Sequence, residues 1–124
     1  QRNLNQVVIN KSKKIVLFFM QNKIQIDKSL SSEWCRCKDT AKYAFNNYKT
    51  FDALNSFYDA RFAKNKTKQI KDLKKYISSW NSKKNLVLVT HFVVISETLD
   101  VASASGAIIV SDTNFNLIRI IETH

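Results

Sequence analysis

A histidine and an arginine, each at a predicted turn from a strand to a helix, have the chemistry to bind an anion. His91 directly follows the apolar run 86–90, which predicts a strand, and Arg36 lies in the first turn of a predicted helix after strand 24–31. Ligands of open α/β sheets bind beyond the carboxyl ends of the strands. A helix start adds unpaired N–H groups and a positive dipole end, and the guanidinium fork matches phosphate oxygens. We therefore predict an oxyanion site built from Arg36 and His91.

Each of these two residues also has a purely structural interpretation. His91 alone is consistent with a hydrogen-bonded structural histidine, and Arg36 alone is consistent with a surface ion pair to Asp39 or Glu33. The pair is more informative than either residue, because both follow strands of one predicted sheet and both suit the same anion.

The elements that must position this pair follow from hydrophobic spacing. Helices are predicted at 5–22, 34–46, 67–80 and 92–99, and strands at 24–31, 48–54, 86–90, 107–111 and 115–121. The last two strands would pair as a hairpin, and strand 86–90 would be buried on both faces. This alternation predicts one α/β domain over residues 1–124, a three-layer α/β/α sandwich with a mostly parallel sheet ending in an antiparallel hairpin.

Composition excludes several classes of protein. The chain has 124 residues, 20 basic and 10 acidic side chains and 44% apolar residues, so it can bury a core. Its apolar stretches are far shorter than the roughly 20 residues that a membrane span requires, and we predict no such span. Cys35, Cys37 and the internal His91 supply neither a disulfide framework nor a metal ligand set, so we expect no metal and no cofactor.

The net charge of +10 keeps a nucleic-acid-binding alternative open, because it attracts polyanions non-specifically. The lysines that would carry such binding are Lys64, Lys66, Lys68, Lys71, Lys74 and Lys75. Only Tyr76 interleaves with them, whereas single-strand binders need aromatic side chains on which bases stack. We therefore predict no specific nucleic-acid partner.

Three segments together resemble one known family. Residues 32–41, Ser-Glu-Trp-Cys-Arg-Cys-Lys-Asp-Thr-Ala, are similar to a Ser-x-x-x-Arg-Cys-x-x-Thr-Ala segment of the histidine phosphatase superfamily, the phosphoglycerate mutase-like enzymes. Residues 86–95 and 106–110 resemble the second histidine motif and the closing strand of that family. Residues 2–5, Arg-Asn-Leu-Asn, are similar to its approach to the first helix.

This resemblance implies phosphomonoester hydrolysis through a phosphohistidine, with a small phosphorylated substrate or phosphate as the ligand. By residue matching, Arg36 would clamp the phosphoryl group, His91 would be the second histidine of the pocket, and Arg2 would join in phosphate binding. For the general acid, the carboxylates near the motifs are Asp59, Glu97 and Asp52, of which Asp59 lies in an irregular segment that could reach a pocket. A solvated loop carboxylate is the alternative for Asp59.

The sequence also departs from the family pattern. No Arg-His-Gly nucleophile motif occurs: the other histidine is His124 and the single glycine is Gly106. We therefore expect a histidine-phosphatase-like domain truncated at its N-terminus, with the first strand missing from between strands 24–31 and 86–90 and their edges left unpaired. Phe92 is expected to narrow the pocket. A non-catalytic phosphate-binding or anion-binding module is the alternative, and the substrate, the oligomeric state and a cytoplasmic or exported location stay open.

Overall fold

The computed structural model describes residues 6–104 and 107–121 as a mixed α/β structure. In chain order the helices and strands are α1 (Gln6–Gln21), β1 (Ile26–Ser31), α2 (Cys35–Phe45), β2 (Lys49–Thr50), α3 (Lys66–Ser78), β3 (Asn85–Val89), α4 (Phe92–Leu99), β4 (Ile108–Ser111) and β5 (Leu117–Ile121). Each predicted helix is present, with bounds that differ from the prediction by at most two residues. Arg2, Gly106 and His124 lie outside the described residues.

The first three strands form a parallel sheet in the order β2-β1-β3. Along the pair β1 and β3, the register ends with Ser31 opposite Val89. The two strands therefore finish at the same level, and the turns that follow them start side by side. This register places the beginnings of α2 and α4 at one edge of the sheet.

The expectation that a missing strand leaves a gap between β1 and β3 is wrong. These strands are hydrogen-bonded to each other directly, from Ile26 opposite Asn85 to Ser31 opposite Val89. The physical reason is that strand edges carry unpaired N–H and C=O groups, and two neighbouring edges satisfy each other when nothing separates them.

The predicted hairpin is present as the antiparallel pair β4 and β5, but it forms a sheet of its own instead of ending the parallel sheet. Its turn is held by Asp112, whose carboxylate accepts hydrogen bonds from the backbone N–H groups of Asn114 and Asn116. Leu117, Ile118 and Ile120 of β5 are exposed. The hairpin is therefore stabilised mainly by its turn and its own pairing.

Burial concentrates on one cluster beside the parallel sheet. Its fully or nearly buried members are Leu30, Ala53, Leu54, Phe57, Leu73 and Val94. The last four residues of β3 are half-buried instead of buried on both faces as predicted, because β3 is an edge strand of the three-stranded sheet. α1 packs on α2, α2 packs on β1 and β3, and α3 packs on α4.

The segment between α2 and α3 is less regular than predicted. Only Lys49–Thr50 of the expected strand 48–54 pairs with β1, and a 3-10 turn, Asp52–Leu54, follows. That turn buries Ala53 and Leu54, which a continued strand would have directed to opposite faces. A second 3-10 helix, Ala60–Asn65, leads into α3.

Candidate anion site

The turns after β1 and β3 form the centre of the candidate site. The backbone N–H of Ser32 donates to the carbonyl of Val89 at 3.0 Å, which extends the strand pairing by one residue. Ser32 is fully buried and His91 is half-buried, and the Ser32 Oγ and His91 Nε2 atoms are 2.8 Å apart. The turn after one strand thus contacts the turn after its neighbour.

Asn55 fixes the turn that leads into α2. Its Oδ1 accepts a hydrogen bond from the Glu33 backbone N–H at 2.8 Å, and its Nδ2 donates to the Glu33 carboxylate at 2.8 Å. These two partners determine the orientation of the amide, since an N–H needs an acceptor and a carboxylate needs a donor. The Ser32 hydroxyl then donates to the same Oδ1 at 3.2 Å.

This network assigns the tautomer of His91. A serine hydroxyl has one proton, and here that proton is donated to Asn55. Ser32 Oγ therefore accepts from its other two neighbours, the Trp34 backbone N–H at 3.1 Å and His91 Nε2 at 2.8 Å. Nε2 must carry a proton to donate it, so in the neutral ring Nδ1 holds the lone pair. Nδ1 makes no hydrogen bond to any described residue.

The surroundings of His91 favour its neutral form. Burial lowers the pKa of His91 below its usual value of 6.5, because the charged ring loses water. The Trp34 ring lies edge-to-face against the imidazole, with centroids 5.9 Å apart, and Phe62 packs on Trp34 at 5.5 Å. An anion arriving next to this ring would favour protonation again.

Cys37 connects α2 to the same turn. Its Sγ lies 3.6 Å from His91 Nε2 and 3.7 Å from the carbonyl oxygen of Thr90, to which it donates. Burial raises the pKa of Cys37 to about 11, although the positive charge of Arg36 acts in the opposite direction. The side chain is therefore a thiol at neutral pH and lacks the thiolate of a cysteine nucleophile. Cys37 serves to pack the two turns together.

Arg36 lies in the first turn of α2 and is exposed. Within the described part of the chain it forms no ion pair, and the carboxylate of Glu33 is engaged by Asn55 instead. The alternative of an ion pair with Glu33 or Asp39 is therefore not formed. The start of α2 has no side-chain cap, and neither does the start of α4. Both helix starts offer N–H groups at the edge where Arg36 and His91 lie.

The three carboxylates considered for the general acid are either ion-paired or exposed. Asp59 caps the 3-10 helix Ala60–Asn65 and accepts hydrogen bonds from the guanidinium and the backbone N–H of Arg61, which lower its pKa. This environment opposes the protonated form that a general acid needs. Glu97 is paired with Lys66 at 3.2 Å, and Asp52 is exposed. Phe92, which was expected to narrow the pocket, is 57% exposed and packs against Tyr58.

Sequence reasoning missed Asn55, and it used Ser32 only as the first residue of the segment 32–41 that carries the family resemblance. Ser32 carries a signal in retrospect, because it follows β1 directly, much as Thr90 and His91 follow β3. Asn55 carries none: it lies 23 positions from Ser32, and nothing in its neighbourhood distinguishes it from other turn asparagines.

Comparisons with protein-family models, curated proteins and solved structures find no match to this chain. No helix among the described residues is long and apolar enough to cross a bilayer, and no three metal-ligating side chains of that part of the chain form a group. The lysine-rich segment is partly neutralised, since Lys66 pairs with Glu97 and Lys68 pairs with Asp72 at 2.8 Å.

Proposed function

We propose that this protein binds the phosphate group of a small phosphorylated ligand at the carboxyl edge of β1 and β3. The observation that supports the proposal is the register of these strands, which ends at Ser31 opposite Val89. In this register Ser32, in the turn before α2 and its Arg36, contacts His91 in the turn after β3. The two uncapped helix starts add partial positive charge at the same edge.

Each group has a distinct part in this binding. Arg36 supplies a permanent positive charge without a competing carboxylate in the described residues, and its fork donates to two phosphate oxygens at once. His91 donates a hydrogen bond from Nε2–H to Ser32 Oγ, and its Nδ1 atom is left to contact the ligand. A neighbouring phosphate dianion raises the pKa of the ring, so Nδ1 takes up a proton and donates it in a hydrogen bond to a phosphate oxygen.

The second candidate function is phosphomonoester hydrolysis through a phosphohistidine, which rests on the resemblance of residues 32–41 and 86–91 to the histidine phosphatase superfamily. That chemistry requires a further histidine within an Arg-His-Gly strand, and the sequence of 124 residues contains no such motif. The three-layer sandwich of that family belongs to the same proposal. Because β1 pairs directly with β3, the observations favour phosphate binding over hydrolysis.

Titration of the protein with inorganic phosphate, followed by amide and imidazole NMR signals, tests the proposal. We expect the largest shifts at residues 32–37 and 90–94, and a change of the His91 ring signals toward the protonated form. Replacing Arg36→Ala should weaken phosphate binding about 10-fold or more, since hydrogen bonds to charged groups contribute about 1.5–3 kcal/mol.

Arg119 provides the matched control, because it is also an exposed arginine but lies on β5 of the hairpin. Arg119→Ala should leave phosphate binding within twofold. Equal losses in the Arg36 and Arg119 variants would reduce the effect to net charge and refute the site. Release of 4-nitrophenol from its phosphate ester by the unaltered chain, abolished in His91→Asn, would instead support hydrolysis.

A further inference from the structure

Two large aromatic side chains next to the candidate anion site face solvent. Tyr58 is 74% exposed and Phe92 is 57% exposed, yet their rings pack on each other with centroids 5.7 Å apart and an interplanar angle of 55°. Phenylalanine and tyrosine side chains are large and are normally buried in a core or an interface. These two contact each other at the surface, so both keep ring faces or edges accessible to a ligand.

The chain anchors both rings to the anion site. Phe92 is the first residue of α4 and directly follows His91. Tyr58 follows the buried Phe57, and the same short segment begins at Asn55, which holds the turn before α2. Both rings therefore belong to residues close in the chain to residues of the site, Phe92 to His91 and Tyr58 to Asn55.

The other aromatic side chains of this edge, Trp34 and Phe62, are already packed against other residues. Trp34 packs between His91 and Phe62, and the Arg61 guanidinium lies over the Phe62 ring at 5.2 Å from its centroid. Tyr58 and Phe92 are the aromatic pair of this edge that is largely open to solvent. An apolar planar group bound beside a phosphate at His91 would find these rings as its neighbours.

We propose that the ligand of this site is an aryl phosphate, a phosphate monoester whose oxygen is attached to a planar aromatic ring, with the ring packed against Tyr58 and Phe92. This inference rests on the proposed phosphate binding and adds the class of ligand to it. Stacked and edge-to-face aromatic contacts provide a preference over a saturated ring of similar size, because the aromatic faces and edges carry complementary charge.

The test compares the affinity of the protein for phenyl phosphate, cyclohexyl phosphate and inorganic phosphate by NMR titration. We expect phenyl phosphate to bind about 3- to 10-fold more tightly than cyclohexyl phosphate, as aromatic contacts of this kind imply. In Phe92→Leu and in Tyr58→Leu, which keep an apolar side chain but remove the ring, this ratio should fall toward 1.

Tyr43 supplies the control, because it is a 55% exposed tyrosine of α2 that takes no part in the proposed contacts. Tyr43→Leu should keep the preference for phenyl phosphate. Binding of inorganic phosphate at Arg36 and His91 without any preference between the two esters would overturn the aryl proposal alone. Absence of binding by all three compounds would overturn the phosphate site as well, and a preference that persists in both leucine variants would show that other residues select the ring.

Discussion

The carboxyl edge of β1 and β3 and the hairpin of β4 and β5 use opposite arrangements of polar and apolar groups. At the edge, Ser32 is fully buried and its hydroxyl contacts Asn55, His91 and the backbone of Trp34. In the hairpin, Ile118 is 63% exposed and most of β5 is exposed as well. One region encloses polar groups with their partners, and the other leaves apolar groups in water.

This difference indicates that side-chain hydrogen bonds determine the conformation of the edge, whereas backbone pairing determines that of the hairpin. A buried hydroxyl is costly without partners, so the network around Ser32 tolerates few alternative arrangements. Exposed apolar side chains impose no such demand, and the hairpin is held by backbone pairing and the Asp112 turn. We expect the edge to unfold with the core and the hairpin to open at lower cost.

The largest contrast should come from removing apolar volume in the two regions. Leu54 is fully buried in the cluster that supports the edge, and its carbonyl accepts the Thr90 hydroxyl at 2.6 Å. Leu54→Ala should lower the free energy of unfolding by about 2–5 kcal/mol through lost burial and a cavity. Ile118→Ala, at an exposed position, should change it by less than about 0.5 kcal/mol. Urea denaturation measures both, and comparable losses would remove the distinction between the regions.

A smaller effect should come from the side-chain oxygens that accept backbone N–H groups in each region. Asn55→Ala leaves the Glu33 N–H and the Ser32 hydroxyl without an acceptor, which should cost about 1–3 kcal/mol. Asp112→Ala removes acceptors for Asn114 and Asn116 in an exposed turn where water replaces them, so its cost should be smaller. The same denaturation series ranks the two variants, and a reversed order would contradict the network described for the edge.

The smallest effect should be a difference between the pH ranges over which His91 and Asp112 contribute to the free energy of unfolding. The pKa of His91 is lowered by burial, so its contribution to stability is present above pH 6.5 and is lost as the pH falls through the lower folded value. The pKa of Asp112 is lowered by its hydrogen bonds to Asn116, so that contribution is present above pH 3.8 and is lost only below it.

Denaturation at pH 7.5 and pH 5.5 separates these windows. The unaltered protein should lose stability over this interval, and His91→Gln, which retains a donor toward Ser32 but does not titrate, should lose less. Asp112→Asn should follow the unaltered protein there and differ from it only in more acidic solution. A pH dependence that is unchanged in His91→Gln would assign the titration to other groups.

The sequence predicted the regular elements well, because hydrophobic spacing is decided within a few turns of chain. The four helices, the hairpin strands and β3 all lie where apolar periodicity indicated. The segment 48–54 is the exception: Ala53 and Leu54 are both buried in a 3-10 turn, and strand alternation could not have placed both side chains on one side.

For the candidate site, the sequence supplied Arg36 and His91 as residues at the turns from strand to helix, because strand ends and helix starts can be recognised locally. The contact between Ser32 and His91 joins positions 59 residues apart, and Asn55 reaches Ser32 across 23 residues. The pattern of neighbouring residues cannot predict contacts between positions so far apart in the sequence.

Only the tertiary structure shows that β1 and β3 pair with each other. This pairing brings His91 against Ser32, which is fully buried. Periodicity records which side chains avoid water, but it does not record which of several compatible strands will be neighbours. That choice depends on satisfying backbone groups along a whole edge at once, and so it is made only when the chain folds.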